Sequence, residues 1–249
     1  KASGRPVPTG WGARATFSHG LFRMRAALTV MRFVASRDAT QGETIQVGAW
    51  TVVLVLLLTA VIYLGSLGYQ FVWDDTVMVQ SPTLRDLRNF LQFFQFDFTS
   101  LTSGAIDGHY YRPTLALSLA LDATLWGPHP ALFHLTNVLL NVAVTFLVNR
   151  LALAMGARRD VAVLAALLFA IHPAHVEVVA FVSGRVDLLL TVGVLGCLLA
   201  YRSSDRPGWT RMVWGLVALG MQGFALLSKE PAVTLPALLM LSDLLYHAP

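Results

Sequence analysis

The sequence predicts an all-α polytopic membrane protein, and three observations support this fold class. Hydrophobic residues make up 55% of the chain and charged residues only 13%, whereas a soluble domain carries about twice that share of charge. Several apolar segments approach the roughly 20 residues that a helix needs to cross the hydrocarbon core. Most lysines and arginines are clustered between these segments. We therefore expect a bundle of about six transmembrane helices, with an outer loop and an interfacial helix.

Residues 1–46 precede the first apolar segment and form the first of two expected domains. Within them, Leu21–Ser36 is basic and amphipathic, which is typical of a helix that lies on the cytoplasmic leaflet and binds anionic lipid. Residues 47–249 form the second domain, which is transmembrane. Its outer loop and interfacial helix occupy about residues 69–130.

Six apolar segments are the candidate membrane spans of this second domain. They are Val47–Gly68, Ala131–Met155, Val161–Ile171, Val186–Tyr201, Met212–Ser228 and Ala232–Tyr246. Of the 18 lysines and arginines, most lie before the first span, after the second, or between the fourth and fifth. If these three regions share one side, the positive-inside rule makes that side the cytoplasm. The N-terminus is then cytoplasmic.

The Arg112–Pro130 segment must not cross the membrane if this topology holds. It is short, carries Asp122 and ends in Gly-Pro-His-Pro. We expect an amphipathic helix in the outer interface, with Asp122 facing water or the site. The preceding Ser81–His109 segment is expected to be an outer loop with a surface helix and a turn region.

Five short polar motifs fall at the outer ends of the predicted helices. They are "WDD" at Asp74 and Asp75, "HYYRP" around Arg112, "HPAHVE" ending at Glu177, "SGRVD" around Arg185 and "SKEP" around Lys229. Ionisable groups at membrane depth are costly to bury unpaired, so they are functional candidates by default. We expect Asp74, Glu177, Arg185 and Lys229 to line one cavity that faces outward.

Longer stretches around these motifs carry a family resemblance. They are the acidic pair, "YYRP", "HLTNVLLN" (His134–Asn141), "FAIHPAHVEVVAFVSGRVDLL" (Phe169–Leu189) and "LLSKEPAVTLP" (Leu226–Pro236). Over about residues 68–240, their order resembles the membrane domain of the transmembrane and tetratricopeptide-repeat O-mannosyltransferases and their bacterial relatives. These enzymes belong to the GT-C glycosyltransferase superfamily. The resemblance implies a GT-C-like bundle, a polyprenyl-phosphate sugar donor and an active site on the outer face.

The chain departs from this family in its extent. Six spans are fewer than the usual membrane core, and no tetratricopeptide repeats follow them. We expect either that the C-terminal part is missing, or that the front half has been kept for another purpose.

The family pattern makes Asp74 the general base that deprotonates the acceptor hydroxyl. Asp75 would orient the acceptor or hold a neighbouring cation. Adjacent carboxylates in a partly dry site raise the pKa of one of them, which suits a base working near neutral pH. The alternative is a solvated pair on a loop, which Phe71 and Trp73 anchor at the interface in either case.

The departing lipid phosphate requires cations or hydrogen-bond donors. The candidates are Arg185, Arg112, Lys229, His172 and His175, since guanidinium groups match phosphate geometry. The alternatives are structural: Arg185 pairs with Asp187 or Glu177, Lys229 pairs with Glu230, and Arg112 snorkels to headgroups. His172 and His175 would otherwise brace Arg185.

Other polar residues have supporting roles in this interpretation. Glu177, Asp187 and Glu230 would support the cations, while His109 and Tyr111 would line the acceptor path or be ordinary interface residues. A metal site at His172, His175 and Glu177 is a further possibility to consider. It is disfavoured because Pro173 disrupts the helical face between them and because no closed ligand set is apparent. We expect no metal, and no cofactor besides the donor.

Two function classes remain open at this point. The first is a glycosyltransferase that moves a mannose-like sugar from a polyprenyl phosphate to a protein hydroxyl. The second is a non-catalytic GT-C-derived scaffold or accessory subunit of a larger membrane complex, and a transporter is a weaker third option. The expected partners are membrane lipids, the donor, and a protein acceptor or membrane subunits, with no nucleic acid. The expected location is the bacterial inner membrane, with the site facing the periplasm.

Overall fold

The computed structural model describes residues 48–102, 104, 108–205 and 207–246. All regular elements of these residues are helical, which confirms the all-α class. The expected domain 1–46 and its basic segment Leu21–Ser36 lie outside the described residues.

Eleven α-helices are formed by the described residues. In chain order they are α1 Ala49–Tyr63, α2 Asp74–Gln80, α3 Phe90–Gln95, α4 Phe98–Leu101, α5 Pro113–Trp126, α6 Pro130–Ala154, α7 Arg159–Ile171, α8 His175–Ala180, α9 Arg185–Ser203, α10 Trp209–Leu226 and α11 Leu235–Tyr246. Three 3₁₀ turns accompany them, at Leu64–Gly68, Leu87–Asn89 and Glu230–Thr234.

Each predicted apolar segment is helical in the structure, as α1, α6, α7, α9, α10 and α11. Among the described residues, Trp50–Gly68, Pro130–Ala154 and Arg185–Ser203 are long and apolar enough to cross a membrane. The protein is therefore an integral membrane protein. The total of six crossings stays a prediction.

Proline and glycine mark the boundaries of helices α5 and α6. Pro113 and Pro130 occupy the first turns of α5 and α6, where the missing N–H costs nothing and the fixed φ suits the helix. Gly127 ends α5 with a φ of 65°, which other residues rarely adopt. The chain therefore turns sharply from α5 into α6.

Helix α6 is the centre of the bundle, because it packs against α1, α7 and α9. Its buried face carries a polar stripe at spacings of three and four residues, formed by His134, Asn137, Asn141, Thr145 and Asn149. Such polar groups hydrogen-bond neighbouring helices in membrane proteins. Helix α9 runs parallel to α6, since Arg185 contacts its first half and Arg202 its last turn.

Helix α5 differs from the expected amphipathic helix. Its 14 residues span about 21 Å, which is less than the roughly 30 Å of the hydrocarbon core. Its exposed positions are mostly apolar, and they include Leu117, Leu121 and Leu125. Asp122 is buried and pairs with Arg185, so of the two expected positions it faces a predicted site residue rather than water. The placement of this helix in the outer interface stays a prediction.

The segment between α1 and α5 contains more helix than the sequence predicts. The expected surface helix is present as α3, followed by the single turn of α4. The acidic pair, however, lies in the first turn of α2 rather than in a loop. Carboxylates at a helix N-terminus interact favourably with the helix dipole, so Asp74 and Asp75 stabilise this helix start.

Candidate active site

Asp75 joins the segment after α1 to the segment that precedes α9. Its buried carboxylate accepts hydrogen bonds from the backbone N–H groups of Val182 (2.9 Å) and Ser183 (2.7 Å). Both carboxylate oxygens are used in this way. The geometry therefore gives Asp75 an anchoring role, and its expected contact with an acceptor or a cation stays a prediction.

Asp74 points out of the fold next to this anchor. It is exposed and follows Trp73, whose φ of 50° is the only positive φ of a non-glycine residue in the described part of the chain. The Trp73 ring, 82% exposed, stacks on Phe181 at 5.9 Å between ring centroids. Strained backbone persists where surrounding contacts hold it, and it occurs often at functional sites. The Trp73 conformation thus presents Asp74 at the surface.

Arg185 lies at the centre of a buried polar network. Its Nη2 is 2.6 Å from the Asp122 carboxylate and 2.8 Å from the Phe133 carbonyl, and its Nε donates to Asn137 Oδ1 at 2.8 Å. The side chain is fully buried. An anion therefore reaches this guanidinium only by displacing protein partners.

The ion-pair partner of Arg185 differs from the predicted one. We expected a structural Arg185 to pair with Asp187 or Glu177, but it pairs with Asp122 of α5. Its role as a ligand of the donor phosphate stays a prediction. The geometry favours a structural role that joins α5, α6 and α9.

The "SGR" motif is shaped by a close backbone contact at Gly184. A Cβ on Gly184 would lie 2.6 Å from the carbonyl oxygen of Val178, so only glycine fits without a shift of the chain. Asn137 stabilises the same turn by donating to the carbonyl of Phe181 at 2.7 Å. The turn thereby presents its N–H groups to Asp75.

A second, partly exposed cluster brings together three of the predicted motifs. Lys229 Nζ lies 2.6 Å from the Asp187 carboxylate, and Arg112 Nη2 lies 3.7 Å from that of Glu230. The expected Lys229–Glu230 pair is therefore wrong. Arg112 also lies over the ring of Tyr110, 4.3 Å from its centroid. We call Arg112, Asp187, Lys229 and Glu230 the rim cluster.

The rim cluster is fixed to α5 by hydrogen bonds and retains unused donors. Thr114 Oγ1 bonds Ser228 Oγ at 2.8 Å and the Leu227 carbonyl at 2.9 Å. The Nε of Arg112 is buried without a hydrogen-bond partner among the described residues, and the Lys229 side chain is 27% exposed. The side chain of Arg112 is 16% exposed, so both cations of the rim cluster remain partly accessible, whereas Arg185 is fully buried.

His172, His175 and Glu177 do not join the Arg185 network in the described structure. The rings of His172 and His175 are 5.8 Å apart, and His175 packs on Phe169 at 4.1 Å. Glu177 is exposed on α8. Among the described residues, no group of three His, Cys, Asp or Glu side chains is arranged to hold a metal ion. The contacts of both histidines with a donor phosphate stay predictions.

His109 and Tyr111 lie beside the short helices α3 and α4. His109 Nδ1 is 3.9 Å from the Asp97 carboxylate, and the Tyr111 hydroxyl donates to the Phe94 carbonyl at 3.0 Å. Both residues are exposed. Their expected role in an acceptor path stays a prediction.

Asp122 and His134 are buried polar residues that were not among the predicted site residues. Asp122 is an acid within an apolar run, and such a group at membrane depth signals a buried partner. His134 is buried near Tyr69 and Phe71, and neither of its ring nitrogens has a hydrogen-bond partner among the described residues. Only the apolar context of Asp122 could have indicated this from the sequence.

Comparison with known proteins gives a consistent set of relatives. The chain is 35% identical over 191 residues to the protein O-mannosyl-transferase TMTC2 of Mus musculus, which covers 73% of this chain and 22% of the relative. It is 34% identical over 193 residues to Tmtc1 of Drosophila melanogaster, covering 76% and 22%. It is 30% identical over 221 residues to TMTC4 of Homo sapiens, covering 79% and 29%.

The chain spans between a fifth and a third of the length of these curated relatives. No protein-family model matches it, and no solved structure matches it. The three relatives described are animal proteins, so the expected bacterial inner membrane stays a prediction.

Proposed function

Because this chain belongs to the TMTC family of protein O-mannosyl-transferases over about three quarters of its residues, we propose that it forms part of a membrane glycosyltransferase. The proposed reaction transfers a mannose-like sugar from a polyprenyl phosphate to a hydroxyl group of a protein. In the proposed orientation, the end of the bundle that carries Asp74 faces away from the cytoplasm.

The observation that carries this proposal is the position of Asp74. Asp75 and the stacked Trp73 hold the first turn of α2 against the segment before α9. Asp74 is thereby exposed on a fixed backbone. A general base needs this combination of access and positioning.

The proposed chemistry uses Asp74 to activate the acceptor. Its carboxylate takes the proton of the acceptor hydroxyl while the hydroxyl oxygen forms a bond to the anomeric carbon of the sugar. The bond between that carbon and the phosphate oxygen breaks, and the electron pair leaves with the polyprenyl phosphate. The products are the glycosylated protein and the lipid phosphate.

The departing phosphate is stabilised by cations in this proposal, and the rim cluster supplies them. Lys229 and Arg112 are partly exposed, whereas the guanidinium of Arg185 is enclosed by protein groups. Charge-assisted hydrogen bonds to phosphate are among the strong interactions available to a side chain. We therefore assign donor binding first to Lys229 and Arg112.

A non-catalytic scaffold is the second candidate function, and the buried network favours it. Arg185, Asp122 and Asp75 have protein partners in the structure and need no substrate to explain their presence. In a scaffold, the same residues would hold the helices together for a partner subunit.

Transfer of radiolabelled mannose from a polyprenyl phosphate to membrane proteins distinguishes these functions. Membranes containing the wild-type chain are compared with Asp74→Asn at equal expression. The enzyme proposal expects a loss of about 10²–10⁴-fold in rate, which is typical of a missing general base. Undiminished transfer by Asp74→Asn removes Asp74 as the base, while a wild-type chain without transfer favours the scaffold.

A further inference from the structure

A second polar site lies at the end of the bundle opposite Asp74. An open groove of about 380 Å³ runs between α1, α6 and α7. Most of its wall is apolar, formed by Val52, Val53, Leu56, Phe146, Leu153 and Val163. Its polar side chains are Asn149, Arg150 and Arg159. We call this cavity the basic groove.

The two arginines of the basic groove differ from their neighbour Arg158. Arg158 forms an ion pair with Asp160 at 2.8 Å. Arg150 and Arg159 are exposed, and neither forms an ion pair with a residue that the structure describes. Two uncompensated positive charges thus face the same cavity.

Asn149 provides an independent indication of a ligand. It is 97% buried in the fold, with 3% of its surface exposed, and its Nδ2 has no hydrogen-bond partner among the described residues. A buried donor without a partner is costly. Asn149 lines the groove, but its Nδ2 is enclosed by protein atoms, so a rotation of the side chain is needed to bring this amide to an oxygen atom of a ligand.

We propose that the basic groove binds an anionic membrane phospholipid. The phosphate group lies between Arg150 and Arg159, since guanidinium groups match phosphate oxygens in charge and geometry. Asn149 donates to a phosphate or ester oxygen, and one acyl chain lies along Leu56 and Phe146. Basic pockets between transmembrane helices are known to take such headgroups.

The apolar wall commits the site to a lipid rather than a free anion. A small hydrated phosphate gains nothing from surfaces such as Val53 and Leu56, whereas an acyl chain buries them. The groove is also separate from the candidate active site. Asn149 follows Asn137 by three turns of α6, which corresponds to about 18 Å along the helix.

Native mass spectrometry of the full chain tests this proposal. The purified protein in an uncharged detergent is titrated with phosphatidylglycerol and, separately, with phosphatidylcholine. We expect retention of phosphatidylglycerol to be weakened about tenfold or more in Arg150→Ala/Arg159→Ala, because each hydrogen bond to a charged group contributes on this scale. Asn149→Ala should weaken it less.

Matched controls separate the groove from the general basic surface. Arg158→Ala removes the same charge from the neighbouring position, and Asn141→Ala removes a similarly buried amide two turns away. Both should retain phosphatidylglycerol as the wild type does. Val53→Trp keeps all charges, fills the groove from an exposed position, and should weaken retention.

Three results would overturn the proposal. Equal loss in Arg158→Ala would show a diffuse effect of charge, and equal retention of phosphatidylcholine would show that the arginines do not select the headgroup. A polyprenyl phosphate that displaces phosphatidylglycerol at lower concentration would assign the groove to that lipid instead. Thermal unfolding in phosphatidylcholine confirms that each variant is folded before it is compared.

Discussion

The guanidinium of Arg185 and the carboxylate of Asp122 meet at 2.6 Å in the interior of the bundle, where both side chains are buried. This ion pair joins α9 to α5 across about 60 intervening residues. Its surroundings are completed by Asn137 and by backbone carbonyls. The pair therefore adds to the hydrophobic packing of α5 against the bundle.

Removing either partner of this pair should destabilise the protein strongly. Arg185→Met or Asp122→Leu leaves one buried charge uncompensated, which costs about 3–5 kcal/mol. The Asp122→Leu/Arg185→Met double variant should cost less than either single change, because no charge is left behind. The measurement is the midpoint of thermal unfolding in detergent. If the losses of stability of the two single variants added up in the double variant, the pairing would be contradicted. Lys229→Met is the control: it removes a partly exposed ion pair and should lower the free energy of unfolding by about 1 kcal/mol or less.

Asp75 and Asp74 should differ in their effect on local stability. Asp75→Asn replaces one acceptor oxygen by an NH₂ group that faces a backbone N–H, which costs about 1–3 kcal/mol. Hydrogen exchange at the amides of Val182 and Ser183 should therefore become faster. Asp74→Asn changes an exposed side chain, so it should change the free energy of unfolding by no more than about 0.5 kcal/mol. Unchanged exchange in Asp75→Asn would refute the anchoring role.

Variants of the rim cluster should alter donor binding in the transfer assay. Lys229→Met and Arg112→Met each remove a charge-assisted contact to phosphate and should raise the KM for the donor about tenfold. Arg88→Met, whose side chain is exposed and pairs with Asp86, is the matched control. A fall in kcat with an unchanged KM would argue that these cations do not bind the donor in the ground state.

Gly193 should be intolerant of even a small side chain. A Cβ there would lie 2.8 Å from the Cβ of Ala225 and 2.9 Å from its Cα, so α9 and α10 would be forced apart. Gly193→Ala should cost about 1–3 kcal/mol. Gly220→Ala is the same change on α10 with no atom within 4 Å, and it should be neutral or stabilise the helix by up to about 1 kcal/mol. The readout is again the thermal midpoint, and equal effects would contradict the close packing.

The stability of the first turn of α4 should depend on pH through the carboxylate of Asp97. The backbone N–H and the hydroxyl of Ser100 bond its carboxylate and hold the pKa of Asp97 below its ordinary value. A lowered pKa in the folded state means that the stabilisation is present above the ordinary carboxyl pKa and is lost as the pH falls through the folded pKa. Exchange of the Ser100 amide should accelerate over that acidic range, and Asp97→Asn should remove the dependence.

The sequence predicts the helices well because apolar length and bounding prolines or glycines are local signals. Pro130 and the long apolar run that follows define α6 directly. The partners of the charged groups are not local. Asp187 is two positions from Arg185 and Glu230 is adjacent to Lys229, and residues at these separations do not face each other on a helix. The true partners, Asp122 and Asp187, follow from tertiary packing.

The environment of the acidic pair could be predicted only in part. An exposed Asp74 agrees with the expectation of an accessible carboxylate. The burial of Asp75 depends on the turn at Gly184, which is more than 100 residues away in the chain. No periodicity in "WDD" distinguishes its two acids. Only the fold shows that one of them is buried and the other exposed.

The separation of Asp122 and Arg185 along the chain also affects how the protein is made. Asp122 leaves the ribosome about 60 residues before Arg185, which corresponds to several seconds of synthesis. During that interval Asp122 has no Arg185 to pair with, and an unpaired acid in the hydrocarbon core is energetically unfavourable. We therefore expect α5 to remain at the membrane surface or within the insertion machinery until α9 is available. On this expectation, the burial of α5 is completed only after the later helix α9 has been synthesised.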